Sequence, residues 1–289
     1  MSCLIVLFGG AGDVGSVVAP WLRAAGYSVT APSSKELDLS NSAAVADYFG
    51  SLPRGYGLLF FAFVDRRLGE TIKEYDLNQR IVENVLKFAN PAWMMFASSI
   101  AVYGEHPSLP ITETSPLIGE GLYARAKRDA EVRIAAAADK FPNLIVRLPG
   151  VFGGHGRRNQ SLDRILRKGL ETGVIELHGN GNVLRDWVSA FEVAEFTVLF
   201  AQNVRAGLVN FVRGESIRID DYVSAALEVL PHIRHHRAND GEVSGTNDFV
   251  FGATALCSLY PEWKFPDRKR DIHALALELE RLRVSGDLS

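Results

Sequence analysis

Short apolar runs alternate with longer amphipathic stretches through the first half of the chain. The runs occupy residues 4–8 (LIVLF), 27–31 (YSVTA), 58–64 (LLFFAFV), 93–98 (WMMFAS) and 144–148 (LIVRL). Each is short, continuous rather than alternating, and flanked by Gly or Pro, the pattern of a strand buried on both faces. Between them the spacing predicts helices at about 14–25, 41–50, 70–89 and 121–139. Asn41, ahead of Ser42-Ala43-Ala44, is placed as a helix cap. Strands alternating with helices predict an α/β fold built on a parallel sheet covered on both faces.

The pattern changes after Pro149. Gly150, Gly153, Gly154, Gly156, Arg157 and Arg158 crowd together, and an apolar helical segment at 191–203 precedes a short strand from Gly207 to Val212. The remainder, 213–289, reads as polar and irregular apart from a helix near 219–229. The expected organisation is a nucleotide-binding domain at 1–149 and a smaller lobe at 150–289, with 191–212 free to rejoin the sheet.

Composition narrows the function. With 289 residues, 47% hydrophobic and 22% charged, the chain can build a core without a disulfide or metal staple. A net charge of −3 leaves no basic excess for neutralising many phosphates, which argues against a nucleic-acid role. Cys3 and Cys257 make neither a disulfide framework nor a four-cysteine zinc site, as in a reducing compartment. The apolar start lacks a basic leader and runs straight into Gly9, so it reads as a strand rather than a signal peptide. No apolar run approaches the ~20 residues of a membrane span. A cytoplasmic location is expected. His232, His235 and His236 lack evident acidic or cysteine partners and read as surface histidines, so no metal site is expected. Arg157-Arg158 and Arg268-Lys269-Arg270 read as solvated surface.

The first strand ends in Gly9-Gly10-Ala11-Gly12-Asp13-Val14-Gly15, which opens the first helix. Missing side chains let the main chain approach a pyrophosphate, whose charge sits on helix N-terminal amides. The alternative is a tight turn with no ligand; the strand–turn–helix setting favours a dinucleotide. The second strand ends in Pro32-Ser33-Ser34-Lys35 with no acid, which suits the 2′-phosphate of NADP. Glu36 and Asp38 follow closely and leave NAD open.

Tyr123 and Lys127 stand four apart in a helical stretch, so phenol and ammonium share a face. A cation beside a phenol favours phenolate, and such a tyrosine can move a proton at a carbinol or carbonyl oxygen. Ser98-Ser99 ends a buried strand, where Ser99 could bond the same oxygen. Alone, Y-x-x-x-K is common; in this order with the glycine turn and Arg147-Leu148-Pro149-Gly150 it is not.

These motifs, with Asn78, Ile100 to Gly104, Arg147 to Gly153, and Gly179-Asn180-Gly181 before Arg185-Asp186-Trp187, resemble the extended short-chain dehydrogenase/reductase family of nucleotide-sugar epimerases, dehydratases and 4-ketoreductases. The resemblance implies a Rossmann-type doubly wound parallel sheet with a smaller C-terminal substrate-binding lobe. It makes Tyr123 the acid/base, with Lys127 holding the nicotinamide ribose and Ser99 the substrate oxygen. It places Gly9, Gly12 and Gly15 along the pyrophosphate, Asp38 at the adenine, and Asp13, Val14, Ser33, Ser34, Lys35, Ala62, Asn78 and Pro149 among the cofactor contacts. Arg185 matches an arginine that binds the sugar-nucleotide diphosphate; its alternative is a surface or Asp186-paired arginine. His155 falls where fucose-synthase-type enzymes place a histidine; its alternative is an ordinary loop histidine. A homodimer through the helices at 70–89 and 121–139 is a further implication.

Three departures narrow the chemistry. Ile100 and Ala101 stand where 4,6-dehydratases carry acids, and Ile100 also replaces the cysteine of fucose-synthase-type enzymes. Gly150 replaces a substrate-contacting asparagine, and the run ending Ala62-Phe63 lacks two small residues. The expected activity is NADPH-dependent reduction of a 4-keto group on a nucleotide-linked 6-deoxyhexulose. Alternatives are an epimerase with tightly bound NAD and a non-catalytic NADP-binding regulator. An epimerase needs phenolate: ionising a phenol near pH 7 takes roughly 4 kcal/mol, and a partly solvated Lys127 supplies roughly 1–4 kcal/mol. A reductase needs the phenol already present at neutral pH.

Overall fold

The computed structural model describes residues 3–64, 69–105, 107–154, 161–177, 181–237 and 247–288. The first half runs β1 (Leu4–Phe8), α1 (Gly15–Ala24), β2 (Ser28–Thr30), α2 (Ser42–Ser51), β3 (Gly57–Phe60), α3 (Ile72–Phe88), β4 (Trp93–Ser99), α4 (Leu122–Ala135) and β5 (Asn143–Leu148). The second continues β6 (Val151–Phe152), α5 (Ser161–Thr172), β7 (Val174–Leu177), β8 (Leu184–Arg185), β9 (Val188–Ser189), α6 (Ala190–Gln202) and β10 (Gly207–Asn210). It closes with β11 (Ile217–Arg218), α7 (Ile219–Leu227), β12 (Arg234–Arg237), α8 (Thr254–Leu259) and α9 (Arg268–Ser285).

Six parallel strands form the central sheet in the order β10-β5-β4-β3-β1-β2. The continuous apolar runs have a direct cause. Ile5 and Leu7 enter one core with α1 and α6, while Val6 and Phe8 enter the other with α2, α3 and α4. Trp93, Met95 and Ala97 alternate with Met94 and Phe96 in the same way. Successive side chains of a strand point to opposite faces, so a strand with two buried faces reads as a nearly continuous apolar run. Asn41 caps α2, its side chain accepting from the Ala43 and Ala44 amides at 3.1 and 3.2 Å. The run at 58–64 is strand only to Phe60. Residues 191–212 supply most of α6 and then β10, which pairs in parallel with β5.

A third core is built on α5, α7 and α9, from residues between Phe152 and Leu288. Helix α9 corrects the expectation of an irregular tail after residue 229. Ile272, Leu275, Ala276, Leu279 and Leu282 form a buried stripe at helical spacing, and Asp267 caps the helix through the Lys269 amide. Of the basic run at its start, Arg268 is not solvated surface: its side chain is 13% exposed and lies 3.7 Å from buried Asp186. Among the described residues no helix is long and apolar enough to cross a membrane.

A buried polar cluster ties α4 to β4 and β5. Arg147 meets Glu131 through Nη2–Oε2 at 2.6 Å and Nε–Oε1 at 3.0 Å. The Ser98 hydroxyl donates to the same carboxylate. Arg147 Nη1 also donates to the Tyr103 hydroxyl at 2.7 Å, which in turn donates to Asn210 Oδ1 on β10 at 2.7 Å. Removing one partner of a buried pair strands the other charge, at a cost of about 3–5 kcal/mol. Glu131→Ala is therefore expected to lose about that much unfolding free energy in urea titrations; a loss under about 1 kcal/mol would show that water reaches Arg147.

Candidate active site

Parallel register brings the candidate residues to one edge. Phe8 pairs with Phe60, Phe60 with Phe96, and Ser99 with Leu148. The residues after these positions, Gly9, Phe61-Ala62, Ile100 and Pro149-Gly150, all leave the sheet at its C-terminal side. Strand order reverses about β1, whose neighbours are β2 and β3, and a crevice at such a point takes the ligand in open α/β sheets.

The turn from Gly9 to Gly15 is built for close main-chain approach. Gly9 has φ +89°, and a Cβ there would come within 2.7 Å of the Ala62 nitrogen. A Cβ on Gly15 would strike the Gly9 carbonyl. Gly12 N–H donates to the Gly9 carbonyl at 3.0 Å. Helix α1 starts without a side-chain cap or an acidic residue in its first turn. A glycine turn that leads into a helix start with no acidic side chain suits a pyrophosphate, so these residues fit a dinucleotide. Ala62 reaches the site as backbone against this turn.

A cavity of about 380 Å³ opens where β2 ends, lined by Val29 to Pro32 with Glu36, Leu37 and Tyr48. Ser33 does not present its hydroxyl freely. Its N–H and hydroxyl both donate to Glu36 Oε2 at 2.8 Å, and the backbone bond foremost holds the Glu36 carboxyl below its usual range. Ser34 and Lys35 are exposed. Asp38 accepts from the Ser40 hydroxyl and N–H at 2.7 and 2.9 Å, and these bonds lower its carboxyl as well.

Lys127 reaches from α4 to β4, the strand that ends in Ser99, and Tyr123 stands one turn before it on the same helix. Lys127 is buried and its ammonium donates to the Ala97 carbonyl at 2.6 Å. It lies over the rings of Phe63, Phe96 and Tyr123 at 3.8, 4.8 and 5.8 Å. Phe63 also stands edge-on to Tyr123, with centroids 5.9 Å apart. The Ser99 oxygen accepts from the Ala101 N–H at 3.2 Å, which leaves its own proton as a donor. Phe63 is the contact that sequence reasoning passed over. Its only signal was bulk at a place where small residues were expected.

Other positions depart from expectation. Asn78 makes no direct case for a cofactor contact: it is buried, and its amide clamps Val64, accepting from the N–H at 2.7 Å and donating to the carbonyl at 3.1 Å. It fixes the backbone just beyond Phe63. Pro149 is buried at the sheet edge. The space a side chain at Gly150 would need holds the Trp187 indole, with Nε1 2.6 Å from the Cβ position. Arg185 is not paired to Asp186. Its Nη1 donates to the Leu184 and Asn247 carbonyls at 2.7 and 2.6 Å, and its guanidinium lies 5.1 Å over the Phe249 ring. Burial pulls that guanidinium below its usual value. Asp186 instead accepts from Gly214 N–H at 2.8 Å. His235 is not a free surface histidine either; it sits 3.3 Å from Asp220, and burial lowers its pKa. His155, Arg157-Arg158 and Gly179-Asn180 lie outside the described residues.

Residues 5–212 match the NAD dependent epimerase/dehydratase family, and the chain belongs to it. No curated protein matches the sequence. The fold is similar to that of a GDP-mannoheptose C4 reductase from Campylobacter jejuni with NADP bound, at TM-score 0.78 and 18% identity over 96% of this chain and 98% of that one. It is similar to a UDP-glucose 4-epimerase from Bifidobacterium longum in complex with NAD+ and UDP (TM-score 0.77, 17% identity, 99% and 100% covered). A GDP-L-fucose synthetase from Naegleria fowleri bound to NADP gives TM-score 0.79 at 16% identity, with 99% and 96% covered. At such identities the likeness establishes the fold.

Asp163 reaches the site from the first turn of α5, both carboxylate oxygens 3.3 Å from the Gly153 N–H. Gly154 next to it packs on the Asp13 backbone of the glycine turn. Burial raises the Asp163 carboxyl to about 6. Between pH 4 and 6 the folded chain therefore holds a proton that the unfolded chain has released, so this group's contribution to stability falls as pH rises through that window. Asp163→Asn keeps an acceptor for Gly153 and removes the charge. The variant is expected to match the parent near pH 3.5 and to exceed it by about 3 kcal/mol at pH 8; denaturant titrations at the two pH values check the difference.

Proposed function

Within this family, we propose that the chain reduces the 4-keto group of a nucleotide-linked sugar with NADPH, Tyr123 giving the proton. The observation that carries the reading is the buried Lys127 ammonium held on the Ala97 carbonyl and over the Tyr123 ring, with an apolar turn following Ser99. Ile100 and Ala101 continue from Ser99 as the start of a short 3-10 turn, Ile100–Tyr103, and bring no acid or base for eliminating water; Tyr103 at its end is buried and engaged by Arg147 and Asn210.

The turn from Gly9 to Gly15 would hold the dinucleotide, whose reduced nicotinamide would supply the hydride for the carbonyl carbon. As the carbonyl oxygen takes up charge, the Tyr123 phenol transfers its proton to it and the Ser99 hydroxyl donates a hydrogen bond to it. The Lys127 ammonium stabilises the phenolate left behind. Its bond to Ala97 and its aromatic surroundings hold that charge in one place. Arg185, with Nη1 already engaged by two carbonyls and its plane on Phe249, would present its remaining donors to the substrate diphosphate.

A second reading has its own support. Glu36 lines the cavity at the end of β2 as an anion. Such a group repels a 2′-phosphate and suits the ribose hydroxyls of NAD, the coenzyme an epimerase would retain through its cycle.

The two readings separate by experiment. Nucleotide sugars bearing a 4-keto group are expected to be reduced, followed by absorbance, with NADPH giving the higher kcat/KM than NADH. Recovery of the purified protein with NAD bound, together with 4-epimer formation and no net coenzyme oxidation, would establish the second reading instead. Tyr123→Phe is expected to lower kcat roughly 10²–10⁴-fold while coenzyme still binds. Arg185→Lys is expected to raise KM for the sugar nucleotide about tenfold with little change in kcat, because an ammonium cannot replace the guanidinium fork.

A further inference from the structure

The helix that carries Tyr123 begins without a cap of its own. Helix α4 starts directly after Gly121, which contributes no side-chain acceptor, and its first turn contains no acid. Tyr123 is the second residue of that helix, so fraying of one turn displaces the phenol. The acceptor comes from 53 positions upstream. Glu70 Oε1 accepts the Tyr123 N–H at 3.1 Å.

Gly121 makes the space for it. A Cβ at this position would fall on Glu70 Oε1, well inside van der Waals contact. The backbone there has φ −58° and ψ 146°, a conformation open to any L-residue. The incoming carboxylate, not the turn, therefore accounts for the missing side chain. Glu70 is itself well founded. Thr71, its neighbour, caps α3 with Glu74 in a reciprocal box. Asn78 on the same helix clamps Val64, and Val64, Glu70, Asn78 and Tyr123 line one small pocket. An anion at a helix start also interacts favourably with the helix dipole.

We infer that Glu70 is a positioning residue that fixes the first turn of α4, and with it the proton-donating hydroxyl, to the start of α3. The inference rests on the reading of Tyr123 as proton donor. Small misplacements of a reacting group cost large factors in rate. Glu70→Ala is expected to lower kcat about tenfold while KM and coenzyme affinity hold. Glu70→Gln keeps the acceptor oxygen and is expected to restore kcat to within about threefold of the parent. Gly121→Ala should expel the carboxylate and reproduce the Glu70→Ala defect, and the double variant should be no worse than either single one.

Hydrogen exchange of the peptide spanning 121–125, read by mass spectrometry, gives a measure independent of turnover. It is expected to quicken in Glu70→Ala and Gly121→Ala and to stay slow in Glu70→Gln. Unchanged exchange and unchanged kcat in Glu70→Ala would overturn the inference. So would a defect that Glu70→Gln fails to rescue, or one that appears equally in coenzyme affinity. Should the parent protein reduce no keto sugar, the proposed reaction fails, and the exchange measurements still decide whether Glu70 anchors the helix.

Discussion

A guanidinium removed from water is tolerable only when its edges are met, and Arg147 meets that condition by joining three parts of the fold. Glu131 comes from α4, Tyr103 from the turn after β4, and Asn210, reached through Tyr103, from the edge strand β10. The Ser98 hydroxyl adds β4 itself. Each of these elements carries or adjoins a site residue. The ion pair therefore sets the distance between the helix bearing Tyr123 and Lys127 and the strand end bearing Ser99.

The same economy of contacts applies to Lys127. Its charge is buried, and the Ala97 carbonyl supplies a directed acceptor while ring faces supply a diffuse negative potential. Phe63 serves both members of the pair, lying under the ammonium and edge-on to the phenol. Asn78 holds the main chain immediately after it. A bulky residue at the end of this run is thus part of how the charge is kept beside Tyr123.

The C-terminal helix is fastened by buried acids. Arg213 pairs with Glu192 at the start of α6 and donates to the Pro266 carbonyl at 2.9 Å, while the Ser189 hydroxyl donates to Asp271 on α9. Burial raises the Glu192 carboxyl to about 7 and also raises that of Asp186. These groups lie where α9 meets β9 and α6, so the C-terminal helix is joined to the element that leads back into the sheet. Strand β6 pairing with β9 closes the same junction from the other side.

Much of this was legible along the chain. Runs such as Leu4–Phe8 and Trp93–Ser99 announced strands with two buried faces, because side-chain alternation is a property of consecutive residues. The glycine turn and the four-residue spacing of Tyr123 and Lys127 were local too. The stripe on α9 was equally local and was obscured by the charges interleaved with it. What the chain alone did not disclose is which distant groups meet: Glu70 with the Tyr123 amide, Phe63 with Lys127, Arg185 with Phe249, Arg268 with Asp186. Periodicity fixes the face on which a residue lies. Only packing, which brings segments tens of residues apart to within a few ångströms, decides what that face touches.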